Sequence, residues 1–149
     1  MEKLKEGDKA FSFIGLNESN KKISLSDYKG KKLVLYFYPK DNTPGCTSEA
    51  CDLRDNFKLL QKQGYEILGV SPDNETSHQK FINKFELPFS LIADTDHNIA
   101  EAYGAWGEKS MYGRKYFGIL RKTFVIDEKG VITKIIEKVD TKKHSNQIL

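Results

Sequence analysis

Two cysteines, Cys46 and Cys51, are the residues whose type and spacing most directly suggest chemistry in this chain. Both lie in the short stretch from Tyr38 to Cys51, with four residues between them. The nucleophilic form of cysteine is the thiolate, and a free thiol has a pKa of about 8.5, so a reactive cysteine needs a nearby positive field. A helix that begins near Cys46 would supply such a field through its unpaired N–H groups and its dipole. The stretch therefore predicts a reactive thiol beside a second cysteine.

The residues around the cysteines predict a buried strand that leads, through a tight turn, into a helix. A continuous apolar run from Leu33 to Tyr38 is typical of a strand that is covered on both faces. Pro44 and Gly45 suit a tight turn into the following helix. In an unbroken helix, Cys46 and Cys51 would point about 140° apart, and their separation would exceed the limit of about 7 Å for a disulfide. A bond between them would therefore require the first turns of the helix to unwind.

The composition bounds the class of protein. With 149 residues, 38% hydrophobic and 30% charged, the chain is expected to form one soluble domain spanning residues 1–149. The net charge of +3 comes from interleaved lysines and acids, which gives little support for nucleic-acid binding. No apolar run approaches the roughly 18 residues of a membrane span, and residues 1–8 lack the apolar core of a signal peptide. We therefore expect a cytoplasmic protein with no membrane partner.

The same compartment argues against a structural disulfide, because it keeps thiols reduced. A zinc site normally needs four Cys or His ligands at close spacing, and the chain's histidines lie far apart, at His78, His97 and His144. We therefore expect no bound metal, which leaves redox chemistry or burial as the roles of the cysteines.

Apolar periodicity predicts a mixed α/β sheet with helices on its faces. A small hairpin is expected between Phe11 and Leu25, followed by a helical turn that ends at Gly30. The expected strands are 33–38, 67–70, 91–93, 123–127 and 131–136, the last two joined by a hairpin turn. Helical spacing links residues 47–60, 81–85 and 100–103, and the tail from Asp140 is expected to hold one turn of helix. Residues 104–118 are glycine-rich, basic and aromatic, and predict a long loop.

The stretch that contains the cysteines resembles a known family. Pro39, Thr43 and Cys46 match the Pro-x-x-x-Thr-x-x-Cys motif of peroxiredoxins, and residues 37–51 are similar to the bacterioferritin comigratory protein, or Q-type, subfamily. Residues 104–119 and 121–127 extend the resemblance across nearly the whole chain. The resemblance implies a thioredoxin-like fold and thiol-dependent reduction of hydroperoxides.

The resemblance also implies roles for both cysteines. Cys46 would be the peroxidatic cysteine, which attacks hydrogen peroxide or an organic hydroperoxide and becomes a sulfenic acid. Cys51 would be the resolving cysteine, which condenses with it to a disulfide. Thioredoxin or a similar dithiol would restore both thiols, without a bound cofactor. We expect a monomer or weak dimer.

Four further site residues follow from the resemblance. Thr43 would hydrogen-bond the peroxide and the thiolate, and Pro39 would shield the sulfur. Arg121 would supply the cation that attack on an O–O bond requires, and Glu49 would help to hold that arginine. The residue types alone leave three arginines open: Arg54, Arg114 and Arg121. Four aromatic residues are expected to border the pocket or to pack in the core or the loop: Trp106, Tyr112, Tyr116 and Phe117.

Two other functions compete with this interpretation. A thioredoxin-like disulfide reductase would normally carry Cys-x-x-Cys, whereas four residues separate Cys46 from Cys51. A non-enzymatic binding module on the same fold would not depend on Cys46 for turnover. Peroxide consumption by a variant without that thiol separates the three hypotheses.

Overall fold

The computed structural model describes residues 4–149. Its strands are β1 (Ile14–Leu16), β2 (Lys22–Ser24), β3 (Lys32–Phe37), β4 (Tyr65–Ser71), β5 (Ser90–Ala93), β6 (Trp106–Met111), β7 (Arg114–Ile119), β8 (Lys122–Ile126) and β9 (Ile132–Ile136). Its helices are α1 (Pro44–Asp55), α2 (Phe57–Lys62), α3 (Glu75–Phe85), α4 (Asn98–Ala102) and α5 (His144–Ile148), with a 3₁₀ turn at Leu25–Tyr28. In this described part of the chain, no helix is long and apolar enough to cross a membrane.

A five-stranded mixed sheet in the order β5-β4-β3-β8-β9 forms the centre of the fold. β3 pairs in parallel with β4 and antiparallel with β8, so that Leu35 faces Leu68 on one side and Phe124 on the other. Every residue of β3 after Lys32 is buried, which explains its unbroken apolar run. The sheet and its flanking helices confirm the predicted α/β class, and the antiparallel pair of β1 and β2 confirms the small hairpin.

Alternation along β3 divides the core between the two faces of the sheet. Leu33, Leu35 and Phe37 pack on one face, whereas Val34 and Tyr36 pack on the other with residues of α1. The α1 side chains on that second face are Cys46, Ala50 and Leu53, which are almost fully buried. Each large apolar side chain buried in this way contributes roughly 1.5–3 kcal/mol. The core therefore fixes the face of α1 that carries Cys46.

The helix that carries both cysteines differs in its bounds from the prediction. It begins at Pro44, after Thr43 in an extended conformation, because proline suits the first helical position. It ends at Asp55, so the expected single helix through Leu60 is wrong. The side-chain amide of Asn56 donates to the Asp52 carbonyl at 2.9 Å and competes with continued helical hydrogen bonding. A second short helix, α2, starts at the next residue.

The predicted long loop at residues 104–118 is also wrong. β6 and β7 form an antiparallel hairpin in which Trp106 faces Ile119 and Met111 faces Arg114. Tyr112 and Gly113 form its two-residue turn, and both have positive φ (53° and 78°), as a primed hairpin turn requires. Most of the hairpin's side chains are exposed or half-buried, so the two strands lack the alternation that marks a half-buried strand in sequence.

The aromatic residues of this hairpin lie in different surroundings. The ring of Trp106 stacks on His97 with centroids 3.8 Å apart. Tyr112 is fully exposed at the tip, and Phe117 is 66% exposed. Neither Tyr112 nor Phe117 therefore packs in the core, which was one of the expected locations.

Candidate active site

Cys46 occupies the third position of α1 and is buried, with 1% of its surface exposed. The first helical hydrogen bond runs from the Thr47 N–H to the Thr43 carbonyl, at 2.8 Å. Helix geometry leaves the N–H groups before it without intrahelical acceptors, and these groups carry the positive end of the dipole. The sulfur thus lies in the electropositive first turn of a helix. Such a position favours a thiolate.

Arg121 lies between β7 and β8 and reaches the sulfur. Its Nη2 donates to Cys46 Sγ at 3.3 Å, and its Nη1 donates to Glu49 Oε1 at 2.7 Å. Burial opposes the charge of the guanidinium, but Glu49 and Cys46 outweigh that effect and raise the pKa of Arg121. Arg54 instead pairs with Asp55 at 2.9 Å. The arginine beside the thiol is therefore Arg121.

Thr43 and Pro39 lie in the segment that joins β3 to α1. The Thr43 hydroxyl donates to the Lys40 carbonyl at 2.9 Å, and not to the sulfur as expected. This bond orients the hydroxyl and leaves its oxygen lone pairs as acceptors. Pro39 is half-buried, two residues after the end of β3.

Glu49 is completely buried behind Arg121. Its Oε2 has no hydrogen-bond partner within residues 4–149, although His144 Nε2 lies 3.4 Å away. Burial raises the pKa of Glu49 to about 7, while Arg121 lowers it and Asp52 raises it further. The carboxyl group beside Arg121 therefore changes charge near neutral pH.

His144 and Thr123 complete this buried cluster, and sequence reasoning missed both. Thr123 Oγ1 and His144 Nε2 are 2.7 Å apart, and both side chains are fully buried. Burial lowers the pKa of His144, mainly opposed by a hydrogen bond to Gln147. The tail was expected to hold a turn of helix, which α5 confirms. No spacing in the sequence could relate His144, the first residue of α5, to Glu49, because the two residues are far apart in the chain and meet only where α5 packs against α1.

Cys51 lies seven residues after Pro44 on the same helix and is half-buried. Both cysteines are free thiols in the described chain. Since α1 is continuous through both positions, the two sulfurs face different directions around the helix axis. A bond between them requires α1 to open.

A second buried cluster holds the segment before α1. Asp41 accepts three hydrogen bonds, from Tyr38 Oη at 2.6 Å, Ser77 Oγ at 2.7 Å and His78 Nδ1 at 2.7 Å. His78 Nε2 is 2.9 Å from the Ile92 carbonyl, so both ring nitrogens face acceptors. Burial opposes the charge, but these bonds raise the pKa of His78.

Asp41 and His78 also form, with Asp73, the one group of described side chains that could hold a metal ion. Asp73 Oδ2 accepts from the Asp41 N–H at 2.7 Å and from Ser71 Oγ at 2.8 Å. Both oxygens of Asp41 and Oδ2 of Asp73 are thus engaged in hydrogen bonds within the protein. The arrangement suits a structural network.

Comparisons with known proteins agree with this geometry. Residues 6–135 match the model of the AhpC/TSA family. Peroxiredoxin Bcp of Bacillus subtilis is 46% identical over 143 residues, covering 96% of this chain and 91% of the relative. Peroxiredoxin Bcp of Escherichia coli is 41% identical over 149 residues, covering 100% of this chain and 96% of the relative.

Solved structures show the same relationship. A Cys-to-Ser mutant of PrxQ from Xylella fastidiosa superposes with a TM-score of 0.92 at 31% identity, covering 99% of this chain and 94% of that one. Peroxiredoxin Q of Xanthomonas campestris superposes with a TM-score of 0.86 at 35% identity, covering 91% and 86%. These neighbours confirm the thioredoxin-like fold. With its thiol at a helix start and its arginine against the sulfur, the chain belongs to the AhpC/TSA family as a Bcp-type peroxiredoxin, a thiol-dependent peroxidase.

Proposed function

We propose that this peroxiredoxin reduces hydroperoxides through a two-cysteine cycle in which Cys46 attacks the peroxide and Cys51 resolves the product. The observation that carries the proposal is the 3.3 Å contact from Arg121 Nη2 to Cys46 Sγ in the first turn of α1. A fixed cation and helix N–H groups stabilise both the thiolate and the negative charge of the departing oxygen. The domain expected for residues 1–149 would carry the whole cycle.

In the first step, the Cys46 thiolate attacks one peroxide oxygen and the O–O bond breaks. The bonding pair leaves with the second oxygen, which takes a proton as water or an alcohol. Cys46 is oxidised to a sulfenic acid. The Thr43 hydroxyl already donates to the Lys40 carbonyl, so its oxygen is free to accept a hydrogen bond from the peroxide. Pro39 would shield the reacting sulfur from water.

In the second step, the Cys51 thiolate attacks the sulfenic sulfur and hydroxide leaves as water. The product is a disulfide between the two residues. Because both cysteines lie on α1, this step requires that helix to open locally. The half-buried Cys51 would become accessible in the same movement.

Reduction of the disulfide returns the enzyme to its starting state. We propose thioredoxin or a similar dithiol as the reductant, because thiol exchange restores both cysteines without a bound cofactor. The reducing conditions of the cytoplasm suit such a cycle. We propose that the protein acts as a monomer or weak dimer.

Hydrogen peroxide and organic hydroperoxides are the proposed substrates. A related structure, the bacterioferritin comigratory protein of Xanthomonas campestris, is described for its alkyl peroxide reduction activity, and it superposes with a TM-score of 0.86 at 34% identity. The same chemistry at an O–O bond applies to both peroxide classes, since the attacked oxygen and the leaving oxygen are common to them.

Two measurements test the cycle. Cys46→Ser should abolish peroxide turnover, and unchanged turnover would refute the proposed function. One equivalent of peroxide should lower the intact mass by two hydrogens, about 2 Da, as a disulfide forms. A stable gain of one oxygen in the wild-type protein would show that Cys51 does not resolve the sulfenic acid. Cys51→Ser, which should retain that oxygen, is the matched control.

A further inference from the structure

Lys109 on β6 differs from the other charged side chains of the β6–β7 hairpin. Glu108, Arg114 and Lys115 are exposed, whereas Lys109 is half-buried. Lys115 pairs with Glu108 at 3.6 Å, but within residues 4–149 Lys109 forms no ion pair with a carboxylate. Lysine side chains that lose part of their hydration are usually paired with an opposite charge. The anion that Lys109 serves must therefore be sought elsewhere than among the carboxylates.

The direction of the Lys109 stem indicates where that anion lies. In the hairpin register Lys109 faces Tyr116, and Gly118 lies two residues further from the hairpin tip. A Cβ atom at Gly118 would be 3.3 Å from Lys109 Cδ, so glycine at this position leaves room for the stem. The stem thus leans away from the tip and towards the end of β7. Arg121 follows Gly118 by three residues, and its Nη2 is 3.3 Å from Cys46 Sγ.

The charges of the active site act on the Lys109 ammonium. Burial lowers the pKa of Lys109, the Arg121 guanidinium lowers it further, and Cys46 raises it. The ammonium is therefore repelled by the arginine and attracted by the sulfur. Arg121 is already paired with Glu49 at 2.7 Å. The anion of the site that attracts Lys109 is thus the Cys46 thiolate.

We propose that Lys109 supplies a second positive charge to the active site, which stabilises the Cys46 thiolate together with Arg121. The inference deepens the proposed function, since it concerns the thiol that attacks the peroxide in that cycle. A fixed cation stabilises the thiolate before the attack and the negative charge that passes to the departing oxygen during it. Lys109 acts through its field, so its ammonium need not contact the sulfur.

Other ionisable groups face Cys46 from the elements packed around it. Arg121 contacts the sulfur from the connection between β7 and β8, and Glu49 holds that arginine from α1. Tyr36 is buried on β3, where Glu49 and Cys46 add to the effect of burial in raising its pKa. All of these groups remain in the Lys109 and Lys115 variants used below, so their influence cancels when those variants are compared.

The test follows the alkylation of Cys46 by iodoacetamide, a neutral reagent, from acidic to alkaline pH. All proteins carry Cys51→Ser, which leaves Cys46 as the single thiol of the chain. Lys109→Met removes the charge and keeps an unbranched side chain. The midpoint of its rate profile should lie about half a pH unit above that of the parent, so that below both midpoints the rate is about threefold lower. Above both midpoints the rates should agree within about twofold.

Two matched variants separate the charge of Lys109 from the packing of its stem. Lys109→Arg keeps a cation at this position, and its midpoint should return to that of the parent. Lys115→Met removes one positive charge from the opposite face of the same hairpin, so its midpoint should not move. An unchanged midpoint in Lys109→Met would overturn the inference. A shift that Lys115→Met reproduces, or that Lys109→Arg fails to reverse, would do the same.

A measurement on Lys109 itself covers the case in which Lys109→Met disturbs the hairpin. Coupling between two charged sites is reciprocal, so loss of the thiolate should lower the pKa of Lys109. Carbon-13 NMR of the lysine side chains should place the Lys109 midpoint about half a pH unit lower in Cys46→Ser than in the wild type. Equal midpoints would refute the coupling. Neither readout involves peroxide, so failure of this inference is distinct from failure of the Cys46→Ser turnover test.

Discussion

Two buried acid–histidine pairs lie close to the start of α1, and they differ in how completely they are hydrogen-bonded. Asp41 accepts three side-chain donors, and both nitrogens of its partner His78 face acceptors. Glu49, in contrast, leaves one oxygen without a hydrogen bond in the described chain, 3.4 Å from His144. The first pair precedes the helix and holds the chain that leads to it. The second lies within the helix, behind the reactive thiol.

The difference separates a structural role from a chemical one. In the fully hydrogen-bonded pair, the bonds from His78 to Asp41 and to the Ile92 carbonyl raise the pKa of His78 despite its burial. In the incomplete pair, burial moves both groups towards their neutral forms, because it raises the pKa of Glu49 to about 7 and lowers that of His144. A group that changes charge near neutral pH can tune reactivity; one that does not can only hold position.

Breaking the complete pair should give the largest loss of stability. Asp41→Asn removes the anion and leaves His78 buried without its counter-charge, which should cost about 3–5 kcal/mol. A histidine with a raised pKa in the fold contributes stability below the unfolded value of about 6.5, and that stability disappears as the pH rises through the folded value. The loss should therefore be largest at acidic pH. Urea denaturation at pH 5.5 and pH 8 measures it, and an equal loss at both would contradict the charged form of His78.

Glu49→Gln should change how the stability of the protein depends on pH, which distinguishes the second pair, Glu49 and His144, from the first. The raised pKa of Glu49, about 7, means that the folded protein binds a proton between pH 4.5 and 7 that the unfolded chain has released. Its contribution to stability is present at low pH and is lost as the pH rises through about 7. Glutamine does not titrate, so the stability of the variant relative to the wild type should increase by on the order of 2 kcal/mol from pH 5 to pH 8. A difference that is flat with pH would show that Glu49 does not titrate there.

The smallest effect on stability is expected at an exposed acid–histidine pair, which serves as the reference for the two buried pairs. His97 Nδ1 lies 3.1 Å from Glu101 Oε2, and both side chains are more than a third exposed. Because solvent screens such a pair, Glu101→Gln should change stability by less than about 0.5 kcal/mol at either pH. Thermal unfolding alongside Asp41→Asn gives the comparison. A loss comparable to that of Asp41→Asn would mean that burial does not distinguish these pairs.

Much of the fold could be predicted because its signals are local. The apolar runs of β3 and β4 and the helical spacing after Thr47 lie within single elements, and each predicts its element directly. The break at Asn56 could not be predicted from periodicity, because it depends on a side-chain amide that bonds the Asp52 carbonyl. The β6–β7 hairpin was missed for the opposite reason, since a strand exposed to solvent needs no apolar alternation.

The residues of the site also divide into those with a local sequence signal and those without one. Cys46 was identified from its own neighbourhood, whereas Arg121 was singled out only through the family resemblance and lies 75 residues away in the chain. His144 gave no signal because its contact with Glu49 is made by packing α5 against α1, and no local pattern encodes it. Long-range pairs of this kind depend on the assembled fold.

Because α1 ends before Asn56, the segment that would have to unfold in one catalytic turnover is limited to α1. Opening α1 uncovers the buried side chains of Ala50 and Leu53, while Leu60 on α2 can stay in place. In the proposed cycle, the segment that opens would be α1 alone, and local opening of one element requires less free energy than global unfolding. Substitutions that stabilise the central sheet would leave the rate of disulfide formation unchanged. Under the proposed cycle, substitutions that stabilise α1 itself would slow it, and the lifetime of the sulfenic acid would then depend on one helix of twelve residues.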